Sequence, residues 1–176
     1  MFNTITLLGT PPKEIALATR LGSTIANERG GTVCDYAREK HARILRDVGR
    51  LWIARIADCV SGYNCAGHVW GARRTVIGDE PEWRKILDED GYQMLRDREM
   101  PKLGDLAIYR LPNDLIVHVG EVVRVESNLG LWNTFILSKW DDTSGEFLHQ
   151  SRDVPFRRQL PDFRLEYWTE RLRAPL

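Results

Sequence analysis

The stretch GDLAIYRLPNDLIVHVGEVVRV, residues 104–125, decides the fold class. Two runs rich in β-branched residues flank Leu111-Pro112-Asn113-Asp114, a set of turn formers, so the segment reads as a β-hairpin. Beyond it, ESNLG (126–130) is a second turn and LWNTFILSKW (131–140) a third strand. DDTSGE (141–146) reads as a loop. FRLEYW (163–168) alternates Phe163, Leu165 and Tyr167, as a strand with one buried face should.

Before the hairpin the pattern is helical. Lys13 to about Asn27 suits a short amphipathic helix that stops at Gly30-Gly31. Val33, Ala37, Ile44, Val48, Leu51 and Ile56 recur at helical steps, which predicts a long helix from Val33 to Asp58. Gly62 breaks the chain, and a third helix is expected from about Asn64 to Arg74. A fourth, charged and peripheral, has Pro81 in its first turn and runs to Arg98, with Gly91 as its weak point. The expectation is α+β, with helices over about 12–98 packed on an antiparallel meander over about 103–170, all in one domain spanning 1–176.

Charge and composition narrow the partners. The 176 residues carry 25 Lys+Arg against 25 Asp+Glu, a formal net charge of zero. Nucleic acid and anionic membranes attract a basic excess, so neither is expected as a partner. No run of about 18 apolar residues is present to span a membrane. The opening MFNTITLLGTPPKEI lacks a basic leader and is broken by Gly9, Pro11 and Pro12. A cytoplasmic protein without a secretory signal is the expectation, unless a dedicated secretion machine exports it. Cys34, Cys59 and Cys65 cannot form a closed disulfide framework and fit a reducing compartment, or one bridge beside a free thiol.

Chemistry concentrates in SGYNCAGHVW, residues 61–70. Cys65 follows a Gly-containing turn and opens a helical pattern, where the positive end of the helix dipole lowers a thiol pKa. The small neighbours Ala66 and Gly67 let a substrate backbone come close. A buried structural cysteine fits the same local pattern. His118 stands mid-strand with Gly120 two positions on, hence on the same face with room beside the imidazole. A helix-start Cys and a strand His, far apart in sequence, make the Cys–His arrangement of thiol hydrolases. Cys34, Cys59, Cys65 and His68 lack the paired spacing of a zinc set, so no metal or other cofactor is expected. His68 fits cleft lining and His41 core-edge packing.

Two segments together resemble a known family. YNCAGHVW is similar to the nucleophile segment of NlpC/P60 cysteine peptidases, within the papain-like group, and GDLAIYRLPNDLIVHVGEVV to their G-D-L…H-V-G hairpin. The resemblance covers roughly residues 61–125. It implies a papain-like fold, Cys65 as nucleophile, His118 as base and Tyr63 at the oxyanion site. Asn64 stands where the family has Asp, and Ala66 where it has Ser. The family's third polar residue falls at Gly130 here, so another must serve. Folding the hairpin about Asn128-Leu129 puts Ser138, Lys139 or Trp140 opposite His118. His149 is the favoured orienting residue, because an SKW…G…H tail resembles that of uncharacterised bacterial relatives of papain-like domains; Ser138 and Asp142 are its rivals. Trp70 and Trp140 are candidates to flank a substrate groove.

The implied function is a cysteine hydrolase cleaving an amide bond in a peptide or protein substrate, including cell-wall peptide, or acting as a delivered toxin-like effector with a cognate inhibitor or immunity protein. The same site would serve a deamidase, acyltransferase or transglutaminase. A papain-like binding module without catalysis is the alternative from another class. The sequence does not specify an oligomeric state.

Overall fold

The computed structural model describes residues 14–30, 35–48, 53–128, 131–140, 144–154 and 162–170. Its helices are α1 (Asp35–Val48), α2 (Cys65–Val69) and α3 (Glu80–Glu89). Its strands are β1 (Ile53–Ala57), β2 (Gln93–Met94), β3 (Leu106–Arg110), β4 (Ile116–Asn128), β5 (Leu131–Lys139), β6 (Glu146–Gln150) and β7 (Arg164–Thr169). The α+β class is as expected. No helix among the described residues is long and apolar enough to cross a membrane.

The strands form one sheet in the order β1-β6-β5-β4-β3-β7-β2, with every neighbouring pair antiparallel. The hairpin read from residues 104–125 is its centre, where Ala107 pairs with Gly120 and Tyr109 with His118. Register shifts beside Val117 and Val123 bend β4. Gly104, at φ 85°, occupies a left-handed conformation that a side chain would disfavour, and it turns the chain into β3.

Alternation along the strands divides the core in two. On one face Leu106, Ile108, Ile116 and Val119 pack with Cys65 and Ala66 of α2 and with Trp83, Ile86 and Leu87 of α3. The other face carries Ala107, Tyr109, Val122 and Ile136, packed with Val154 and Phe163. The sheet rolls toward this second face. Thr134 on β5 and Tyr167 on β7 share a hydrogen bond of 2.5 Å although β4 and β3 lie between their strands. Trp132 and Tyr167 meet edge-on at 5.7 Å.

Several sequence expectations give way. The described part of the first predicted helix, from Glu14, is not helical; it runs as a loop that turns at Thr19–Ser23 and is bridged to Val76 through Glu28. Asn27 pins it, accepting from Ile15 N (3.1 Å) and Thr75 Oγ1 (2.7 Å). Gly22, at φ 89°, interrupts the helical spacing there. Of the long predicted helix, Asp35–Val48 is helical, and Ile53–Ala57 is instead the strand β1. Its alternation carries Ile53 onto Trp140 and Phe147, which fits a strand as well as the helical count did. The third helix ends at Val69, because Ala72 and Arg73 take φ of 48° and 62°. The fourth ends at Glu89, before Gly91 at φ 76° and a short strand. The loop DDTSGE gives way at Glu146 to an unexpected strand, β6.

Gly67 is required by close approach. A Cβ on Gly67 would lie 1.7 Å from the Thr75 carbonyl oxygen, a backbone atom that cannot swing aside. Gly67→Ala is expected to cost about 3 kcal/mol, the upper end for overpacking. Urea denaturation of the variant beside wild type checks it, and an unchanged midpoint would refute the contact.

Candidate functional site

The start of α2 is built by Asn64. Its Oδ1 accepts from Gly67 N (2.9 Å) and Ile77 N (3.2 Å), and its Nδ2 donates to Ile77 O (2.9 Å). One side chain thus caps the helix and ties it to the following loop. Asn64 is a cap here, and Ala66 is fully buried in the helix-side core.

Cys65 is buried on the helix-covered face, and Val119 N–H hydrogen-bonds its sulfur. Burial pushes its thiol up to about 11; the backbone donors and the Lys139 charge oppose this without overcoming it. This direction runs against the expected activated thiolate. The physical reason is that α2 has only five residues and a weak dipole, while Cys65 is buried.

His118 faces the other way. It shares a face with Tyr109, their ring centroids 5.3 Å apart, whereas the next residue, Val119, packs with Cys65. Cys65, on α2, therefore packs against one face of β4 while His118 projects from the other, and the expected dyad is not brought together. Burial, aided by the nearby imidazoles of His149 and His68, holds His118 down to about 3.

His149 and Ser138, predicted as rivals, are bonded to each other, with Ser138 Oγ 2.9 Å from His149 Nε2. His149 Nδ1 donates to the Gln150 carbonyl at 2.8 Å, which fixes the tautomer. Trp140 stacks on Phe147 at 4.0 Å and meets His149 edge-on at 5.8 Å, so it is core rather than groove wall. Trp70 also packs against the core, edge-on to Tyr92. Asp142, Cys34 and the His41 side chain lie outside the described residues. No group of metal-ligating side chains is found among the described residues.

Sequence reasoning missed the polar centre on the Cys65 side. Glu146 of β6 accepts from Tyr63 Oη (2.6 Å) and Arg73 Nε (2.6 Å), and its Oε1 lies 3.1 Å from His68 Nδ1. Burial works to raise the Glu146 carboxyl, but hydrogen bonds from Arg73 and Tyr63 outweigh it and hold the group below its usual range. Burial lowers His68, with Glu146 opposing. Tyr63, expected at an oxyanion site, instead spends its hydroxyl on Glu146 and is pushed upward by burial and that partner. The available signal was an acid opening the apolar run Glu146-Phe147-Leu148. Lys139, beside this cluster, donates to Val60 O (2.6 Å) and Ser144 O (2.5 Å) and lies 5.0 Å from the Tyr63 ring centroid.

The chain matches no protein family, no curated sequence and no solved structure.

Proposed function

We propose that the chain is a peptide-recognition module on a papain-like α+β frame, in which Cys65 serves packing rather than catalysis. One observation carries this reading: the thiol and the strand imidazole occupy opposite faces of β4. Thiol hydrolysis needs proton transfer between them within hydrogen-bond reach. The protonation states agree, since a thiol held near 11 and an imidazole held near 3 are both neutral at pH 7.

A second reading keeps the cysteine hydrolase of peptide-like substrates, with deamidation or acyl transfer as its variants. The observation favouring it is that His68 and Cys65 lie one turn apart on α2, with Glu146 on His68 Nδ1 as an orienting carboxylate would be.

Alkylation separates the two. The folded protein is treated at pH 7.5 with iodoacetamide and, in parallel, with a peptidyl chloromethyl ketone, and the modified peptides are followed by mass spectrometry. Recognition without catalysis predicts that the part-exposed Cys59 reacts before Cys65. Cys65 should lag an ordinary exposed thiol by about 100-fold, because its thiolate fraction falls tenfold per pKa unit. Preferential capture of Cys65 by the peptidyl reagent would establish the hydrolase instead.

A further inference from the structure

A cleft of about 770 Å³ opens on the rim of the concave face, bounded by the start of β5, the end of β6, β7 and the loop after β2. Its volume is that of a small-molecule pocket. The Cys65 cluster lies on the opposite face of the sheet.

Hydrogen bonds tie the walls of the cleft to one another. Thr134 Oγ1 and Tyr167 Oη, 2.5 Å apart, join β5 to β7. On the β7 side, Leu95 N donates to Tyr167 O at 2.7 Å. On the β5 side, Ser151 N donates to Thr134 O at 3.0 Å, and Ser151 O accepts from Tyr109 Oη at 2.7 Å. Each anchor is followed directly by an arginine, Arg96 after Leu95 and Arg152 after Ser151. These two arginines therefore stand on fixed backbone on opposite sides of the Thr134–Tyr167 bridge. Arg98 joins them from a turn closed by Glu99 N to Arg96 O at 3.0 Å. Its φ of 68° is a left-handed conformation uncommon outside glycine.

The charge left over in the cleft is positive. Arg164 is spent on Glu166 and Asp114, and Glu166 on Arg110 and Arg164. Glu99 accepts from Arg96 N at 3.1 Å, and both Glu99 and Met94 have further partners, so the ligand contacts fall to other residues. Arg96, Arg98, Arg152 and Asp97 are exposed around the cleft, and among the described residues none of the four is ion-paired. That leaves three cations against one anion, in a chain of zero net charge. A guanidinium holds a carboxylate or phosphate through paired N–H donors.

The apolar part of the lining is aromatic. Trp132 and Tyr167 meet edge-on at 5.7 Å, and both are part-exposed, as is Leu165 beside them. Rings held in this way offer a surface to a planar ligand.

We propose that the cleft binds a small planar aromatic anion. Its ring lies against Trp132 and Tyr167, and its carboxylate or phosphate is held by Arg96, Arg98 and Arg152.

Isothermal titration calorimetry of the full chain with naphthylacetate and with naphthyl phosphate tests this, and the tighter of the two identifies the headgroup. High-micromolar binding is expected for a ligand of this size. It should weaken by about fivefold or more in Arg98→Gln and in Arg152→Gln, since each loses a charge-assisted contact. Both residues are exposed, so far-UV circular dichroism should show wild-type folding. Naphthylmethylamine, which carries the same ring on a cation, should not bind, nor should acetate, the anion without the ring. Binding of neither aromatic anion, equal binding of naphthylmethylamine or of acetate, or unaltered affinity in both arginine variants would each overturn the proposal. Cys65→Ser should bind as wild type does, and loss of binding in that variant, if folded, would place the ligand on the opposite face and overturn the cleft assignment. The cleft stands whichever way the alkylation of Cys65 falls, because the two sites lie across the sheet from each other.

Discussion

Lowering the pH from 7 to 4 is expected to remove about 6 kcal/mol of folding stability through two side chains alone, His118 and His149. Both are essentially inaccessible to solvent, at 1% and 0% exposure. Burial holds His118 down to about 3 and His149 to about 4. In the unfolded chain both imidazoles take up protons below about pH 6.5, whereas the folded chain refuses them until it reaches those depressed values. The unfolded state therefore binds more protons throughout this window. Stability is full above about pH 6.5 and declines as pH falls, by about 1.4 kcal/mol per histidine per pH unit. For a domain stabilised by about 5–15 kcal/mol, this brings acid unfolding close to pH 4. Urea midpoints at pH 7, 6, 5 and 4.5 give the slope. His149→Gln should roughly halve it, because one of the two groups no longer titrates. A wild-type slope in that variant would mean that His149 is not held neutral.

Removing the Glu146 carboxylate is the most damaging single substitution expected on the helix-covered face. Glu146→Ala strips the acceptor from Tyr63 and leaves His68 without its carboxylate neighbour, and both residues are buried. Arg73 adds little to the loss, since its side chain is 49% exposed and can turn to water. Breaking a buried hydrogen-bonded charge cluster in this way costs about 4 kcal/mol. In a chain of this size that lowers the melting temperature by roughly 12 °C. Glu146→Gln keeps an acceptor oxygen and should lose about half as much. Calorimetry of both variants checks the order. If the glutamine variant were no better than the alanine one, the charge rather than the hydrogen bonding would be what holds the cluster.

The parts of the fold that were legible share a physical basis. The β3–β4 hairpin was written in β-branched runs on either side of Pro112-Asn113-Asp114, and β7 in the alternation of Leu165 and Tyr167. The Asn64-Cys65 helix start was legible because capping is a local affair. The strand β6 was hidden because its five residues follow a run of loop formers, and β1 because its apolar spacing fits two periods. The candidate site was legible as a set of residue types but not as an arrangement. Alternation puts His118 with Gly120 whatever the fold, yet which face α2 covers depends on register shifts that no local pattern announces. Arg73 and Glu146, far apart in the chain, meet only because β6 inserts beside β5.

The strand order has a kinetic consequence. The β3–β4–β5–β6 meander pairs strands that are neighbours in sequence, so those hairpins close over short loops. Strand β1 is different, for Ile53 pairs with His149 although β2 to β5 lie between them in the sequence. Loop-closure entropy makes such a pairing slow compared with local hairpins, and it is the natural last step of folding. Until it happens, the outer edge of β6 is bare along Glu146–Gln150, next to the apolar side chains of Phe147 and Trp140. In the nascent protein, that transient edge is the surface most exposed to mispairing with another chain.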